Sequence, residues 1–137
     1  MEKLEKRYNV VLKTLKTLKK SLDTLENLAS DEEKFYKGLR DSVIQRFEYS
    51  IDNFWKFLKI YLQEKHQVVT SGSPRTILRD SLNANIITDE EFEELVECLR
   101  DRNLTSHTYN EPLAAEIASK VTDYYELMEK IIAKIEI

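Results

Sequence analysis

Glycine and proline are scarce, with two of each in 137 residues. That scarcity argues against a sheet joined by many tight turns and favours long helices. A single cysteine, Cys98, excludes an intrachain disulfide framework and fits a reducing compartment. Its neighbours Leu95 and Leu99 suggest a half-buried helix position rather than the setting of a reactive thiol. The two histidines, His66 and His107, are far apart, and with one cysteine they make no metal-ligand set. No apolar run approaches the roughly 18 residues of a membrane span, and no signal-peptide profile opens the chain. A soluble cytoplasmic protein with no membrane association is therefore expected. The length suits one domain, residues 1–137, able to bury a core without disulfides or metals.

Charge is plentiful but segregated. The formal net charge of −4 argues mildly against general nucleic-acid binding. Residues 1–20 nevertheless carry seven basic groups against Glu2 and Glu5, whereas residues 88–101 carry seven acidic groups against Arg100 alone. Such segregation fits a charge-complementary partner, a local phosphate site, or two solvated helix faces.

Hydrophobic periodicity marks four long helices. Leu4, Tyr8, Val11, Leu15, Leu18, Leu22 and Leu25 alternate steps of four and three, the spacing of a narrow helical seam. Ser30-Asp31-Glu32-Glu33 offers an N-cap to a second helix reaching His66. Its stripe runs Phe35, Leu39, Val43, Phe47, Ile51, Phe54, Leu58 and Leu62, widened by Trp55, Phe57 and Tyr61. Glu48, Asp52 and Lys56, one turn apart, read as a surface charge ladder, and His66 as a helix terminus with no catalytic role. Ser73-Pro74 opens a short helix with Ile77, Leu78 and Leu82 inward; its Arg75 and Arg79 suit phosphate or solvent. Thr88-Asp89-Glu90-Glu91 matches a capping box for a third long helix burying Phe92, Leu95, Val96 and Leu99. Asn110-Glu111-Pro112 starts the last one. The expected fold is all-α, an up-and-down four-helix bundle with one short extra helix.

Between the last two helices lies the octapeptide Arg102–Tyr109, read as a break holding an arginine, a histidine, a tyrosine and several small polar groups. Arginine can grip two phosphate oxygens at once, and imidazole can exchange a proton near neutral pH. Together they suit phosphodiester chemistry. RNA supplies its own nucleophile in the 2′-hydroxyl, so neither a metal nor another cofactor is required. Such cleavage needs both a base and an acid, while each chain offers one suitable histidine; a homodimer would supply two. The plain alternative is that Arg102 and His107 only satisfy the last carbonyls of the preceding helix.

Arg102, His107 and Tyr109 make Arg-x4-His-x-Tyr, which resembles the signature of HEPN domains. The wider pattern resembles the HepT-like, or nucleotidyltransferase substrate-binding, proteins. It is carried by three blocks: Arg46–Lys56, Ser73-Pro74-Arg75, and Asp101–Glu111. The resemblance covers nearly the whole chain and implies a helical bundle that dimerises with its Arg–His motifs near the two-fold axis. It also implies a separately encoded minimal nucleotidyltransferase as partner, in a toxin–antitoxin type of system. On this resemblance Arg102 contacts phosphate, His107 acts as acid or base, and Asn103 adds a polar contact in a metal-independent ribonuclease. Tyr109 is then the hydroxyl the partner adenylylates to silence it. Two other functions stay open: a non-catalytic subunit presenting nucleotide or substrate to the nucleotidyltransferase, and a plain helical interaction module.

Overall fold

A computed structural model of the chain describes residues 2–28, 33–70 and 72–137. It contains five helices, α1 (Glu2–Glu26), α2 (Glu33–His66), α3 (Pro74–Asn83), α4 (Asp89–His107) and α5 (Glu111–Lys134), and no strand among the described residues. The expected bundle is present: four long helices and one short one. The longest, α2, packs against each of the other four, while α3 bridges α2 and α4 and α5 closes the bundle against α1, α2 and α4.

The core follows the apolar stripes. Phe47, Phe54 and Phe57 of α2 are wholly buried, joined by Leu4, Val11 and Leu18 of α1, Leu95 of α4, and Ile117, Val121 and Ile131 of α5. Phe47 stacks on Tyr124 of α5 with centroids 5.5 Å apart. Ser50 sits among these groups without breaking the apolar packing, because its hydroxyl donates to the Arg46 carbonyl (2.8 Å) and reaches the Thr14 carbonyl of α1 (3.3 Å). Cys98 is fully buried, more than its neighbours implied, and burial pushes its thiol well above the ordinary range, which leaves it unreactive.

The helix ends are set by local chemistry. At α3 Asn85 takes the left-handed conformation (φ 61°), the Asn85 amide returns to Leu82 and the Ile86 amide to Ser81. That is the paired bonding of a Schellman stop. The capping box opening α4 is formed: Glu91 donates its amide to the Thr88 hydroxyl (3.1 Å), and the Thr88 amide donates to Glu91 Oε1 (2.9 Å). Asn110 caps α5 by accepting from the Leu113 amide at 3.0 Å. The Ser30–Glu32 cap expected for α2 lies outside the described residues.

Three expectations are corrected. Phe35 was expected in the core but is 54% exposed. With 34 residues, α2 is longer than α1, with 25, and residues 34–38 stand exposed before its stripe begins to bury. The octapeptide is not a break: α4 runs on through His107, and only residues 108–110 are non-helical. The Thr and Ser side chains suggested a turn, yet within the helix the Thr105 hydroxyl donates to the Arg102 carbonyl (2.7 Å) and finds Glu48 across on α2. The third correction concerns the acidic face of α4, which is not uniformly solvated. Glu91 and Asp101 are buried, the first held by Lys134 (3.0 Å) and the second by Lys120 (2.8 Å) and the Tyr124 hydroxyl.

Phe54→Ala should cost about 3–5 kcal/mol, read from urea denaturation. Burial pushes the Glu91 carboxyl up, but the Thr88 amide and the Lys134 and Lys130 ammonium groups outweigh it and hold it below its ordinary 4.5. A carboxyl depressed on folding contributes stability above its unfolded pKa and loses it as pH falls through the folded one. Glu91→Gln should therefore cost about 1–2 kcal/mol at neutral pH, discounted for the half-exposed Lys134. The gap to the parent protein should close as urea titrations are stepped below pH 4.5.

Candidate functional site

Arg102 is the hinge of the site. Its side chain, 24% exposed, leaves α4 towards two α2 carboxylates that lie one turn apart. Nε and Nη2 donate to the two oxygens of Asp52 (3.2 and 3.0 Å), and Nη1 donates to Glu48 Oε2 (3.1 Å). Nη1 also meets the Ser106 hydroxyl one turn along its own helix. The bonds to Asp52, outweighing burial, bind the guanidinium proton more tightly than usual. Glu48 and Asp52 are thus not the surface ladder the spacing suggested. Lys56 is exposed, whereas Glu48 and Asp52 turn inward because α4 carries an arginine at their level. Helix capping by Arg102 is likewise not what is seen, since its donors go to side chains.

The clamp divides the motif. On one side Arg102, Asn103, Ser106 and His107 open into a cleft of about 420 Å³ between α2, the start of α3 and α4. Asp52, Trp55 and Lys56 line it from α2, Ser73 from just before α3, Pro74 and Arg75 from α3, and Val96, Leu99 and Arg100 from α4. His107 is the last residue of α4, exposed at the mouth. The other side holds Tyr109, beyond the helix end, in a shallow depression with Asp41, Gln45, Glu48 and Thr105. Tyr109 is 50% exposed and donates its hydroxyl to Asp41 Oδ1. Desolvation and the Asp41 carboxylate together push the phenol up to about 12. Behind Asp41, the Arg40 guanidinium is 2% exposed and forks onto Glu111 at 2.9 and 3.2 Å, joining α2 to the first turn of α5.

Of the residues expected from sequence, Arg102, Asn103 and His107 share a cleft, whereas Tyr109 faces away from it. Spacing alone did not point to Asp41, Arg40 and Glu111. The block Arg46–Lys56 did contain Glu48, Asp52 and Trp55, without a reason to set them apart. His66 lies at the far end of α2, its ring 5.4 Å from Tyr61, outside both depressions. Among the described residues no group of three His, Cys, Asp or Glu gathers as a metal site, and no helix is long and apolar enough to cross a membrane.

An all-helical bundle with an arginine, a histidine and a tyrosine arranged about the end of one helix defines the class. The family model described as nucleotidyltransferase substrate binding protein like matches residues 13–137, and the chain belongs to that family. Among solved structures, a protein of Thermus thermophilus is 38% identical with a TM-score of 0.78, over 90% of this chain and 97% of that one. The tri-AMPylated HEPN toxin of Shewanella oneidensis, in complex with its MNT antitoxin, is 20% identical with a TM-score of 0.68, covering 90% and 94%. A toxin–antitoxin structure with AMP-PNP gives 20% identity and a TM-score of 0.70 over 93% and 98%. At that identity the likeness is one of fold alone. Comparison with curated protein sequences gives no significant match.

Arg102→Ala should destabilise by about 1.5–3 kcal/mol, because it strands two carboxylates one turn apart without their counter-charge. Glu48→Gln in the same chain should recover part of the loss. Urea denaturation of the two single variants and the double variant measures the coupling.

Proposed function

We propose that this protein is the HEPN component of a two-component system with a minimal nucleotidyltransferase, and that it cuts RNA without a metal until Tyr109 is adenylylated. The observation that carries this reading is the shared cleft: Arg102, Asn103 and His107 face one space, at a helix end open to a polymer. In such cleavage the substrate's 2′-hydroxyl attacks the adjacent phosphorus and loses its proton to a base. The bond to the 5′-oxygen breaks, and that oxygen takes a proton from an acid. His107 serves one role and the same residue of a second copy serves the other, so the active form is a homodimer. Asn103 holds a non-bridging oxygen. Arg102 reaches phosphate with the donor capacity that Asp52 and Glu48 leave it.

Tyr109 suits the silencing step. Its hydroxyl is accessible, and the tri-AMPylated state of the Shewanella relative supports adenylyl transfer to this chain as well. The phenol oxygen attacks the α-phosphorus of a nucleoside triphosphate held by the partner, and pyrophosphate leaves. With a pKa of about 12 the phenol is neutral at physiological pH, and Asp41 is in position to take its proton. An adenylyl group there adds bulk and negative charge in the depression that Glu48 of the clamp also lines.

One observation favours a second reading. The charge of Arg102 is already met by two carboxylates, as expected for a structural arginine in a subunit that only presents a ligand to its nucleotidyltransferase.

Purified protein should cleave RNA in the presence of chelator. His107→Ala should lower the rate by about 10²–10⁴-fold with an unchanged melting temperature, since the residue is exposed. Equal cleavage by that variant would falsify the ribonuclease assignment. Incubated with the partner and ATP, the protein should gain adenylyl mass on Tyr109 and lose cleavage in step, while Tyr109→Phe stays active. Transfer to another molecule, with no cleavage by the free protein, would establish the second reading instead.

A further inference from the structure

Trp55 has no place in the chemistry just described, yet it is the aromatic that lines the cleft beside Arg102 and His107. The large aromatics around it on α2, Phe54 and Phe57, are fully buried. Trp55 is only partly covered. One side packs against the hydrophobic core, which fixes the ring, and the rest faces the cleft. No other ring stacks on it among the described residues, and the Lys56 ammonium stands 5.7 Å from its centroid.

The charges of the cleft differ from those of the chain. Against a net charge of −4, the walls bring in Lys56, Arg75 and Arg100. None of the three has a carboxylate partner among the described residues. The one acidic residue of the lining, Asp52, is already held by Arg102. The three free cations come from three different helices. That distribution suits phosphates passing along a groove, rather than a polyphosphate gathered in one cradle.

We propose that this cleft is a binding site for single-stranded RNA, in which one base stacks on Trp55 and the flanking phosphates lie against Lys56, Arg75 and Arg100. The proposal rests on the ribonuclease reading for its substrate, and it adds the residues that hold the strand while His107 works. A fixed, half-exposed aromatic ringed by unpaired cations is the recurring way proteins bind single strands, because every base offers a face to stack and every backbone a charge to neutralise. Trp55, Arg75 and Arg100 are accordingly positioning residues that set affinity and register.

Trp55 is the only tryptophan in the chain, so its emission reports on this cleft alone. In the His107→Ala protein, which leaves RNA intact, a pyrimidine-rich RNA oligonucleotide should quench that emission saturably, and less so as salt rises. Inorganic phosphate should leave it unchanged. Arg75→Ala and Arg100→Ala should each weaken binding several-fold. By anisotropy of a labelled oligonucleotide, Trp55→Ala should lose about tenfold or more, whereas Trp55→Phe, which keeps a stacking face, should lose little. Quenching that ignores both arginine variants, or that phosphate alone produces, overturns the proposal. AMP quenching at concentrations as low as the oligonucleotide needs would make the occupant a mononucleotide and also overturn it. The two readings fail separately. If the parent protein cuts RNA and Trp55→Ala cuts it with the same KM, the cleft assignment falls and the ribonuclease stands. If RNA quenches Trp55 but the parent protein does not cut, the ribonuclease falls and the cleft stands.

Discussion

The pairing of Arg102 with Glu48 and Asp52 holds the end of α4 against α2, and the geometry of everything around the motif follows from it. A guanidinium forked onto one carboxylate and reaching a second fixes both the height and the rotation of α4 at that level. With that rotation set, Ser106 and His107 point to the α3 side and Thr105 to the α2 side, where its hydroxyl meets Glu48. Tyr109, past the helix end, continues on the α2 side and finds Asp41. Residues that are close in sequence are thereby sorted onto two faces. The arrangement separates the proposed site of cleavage from the proposed site of modification.

Polar pairing of this kind recurs between α4 and α5 and between α2 and α5. Glu91 with Lys134, Asp101 with Lys120, and Arg40 with Glu111 each bury one charged group and leave its charged partner nearer to water, and Asp101 also accepts from the buried Tyr124 hydroxyl. A charge buried in this way costs stability unless it is paired, so these contacts specify how the helices seat more than they strengthen the core. The strength comes from the aromatic face of α2, around which the other helices are arranged. Two kinds of interaction therefore divide the work: non-directional burial makes a bundle, and directional pairs choose one seating of it.

That division explains what could be anticipated. The heptad-like seam from Leu4 to Leu22, the core stripe from Val43 to Leu62, the Thr88–Glu91 capping box and the Asn110 cap are all patterns within a few residues of themselves. The structure contains each of them. The structure departs from the expected pattern where a local spacing depends on a non-local partner. Phe35 keeps the spacing of the stripe but stands on residues of α2 that no other helix covers. Glu48 and Asp52 have the spacing of a surface ladder, but their partner lies 50 residues or more further along the chain.

The amino-acid sequence by itself determined the helices, the side-chain caps that open α4 and α5, the apolar faces and the family, because periodicity, capping and motif are local properties of a chain. It also placed Arg102, His107 and Tyr109 together, in one dimension. Only the tertiary structure decided that Arg102 is clamped by two acids, that Tyr109 faces away from His107, and that Trp55, Arg75 and Arg100 surround the same cleft. The physical reason is that side-chain pairing depends on the relative rotation and height of whole helices. Those are fixed only when the entire core has packed, and no short stretch of sequence contains them.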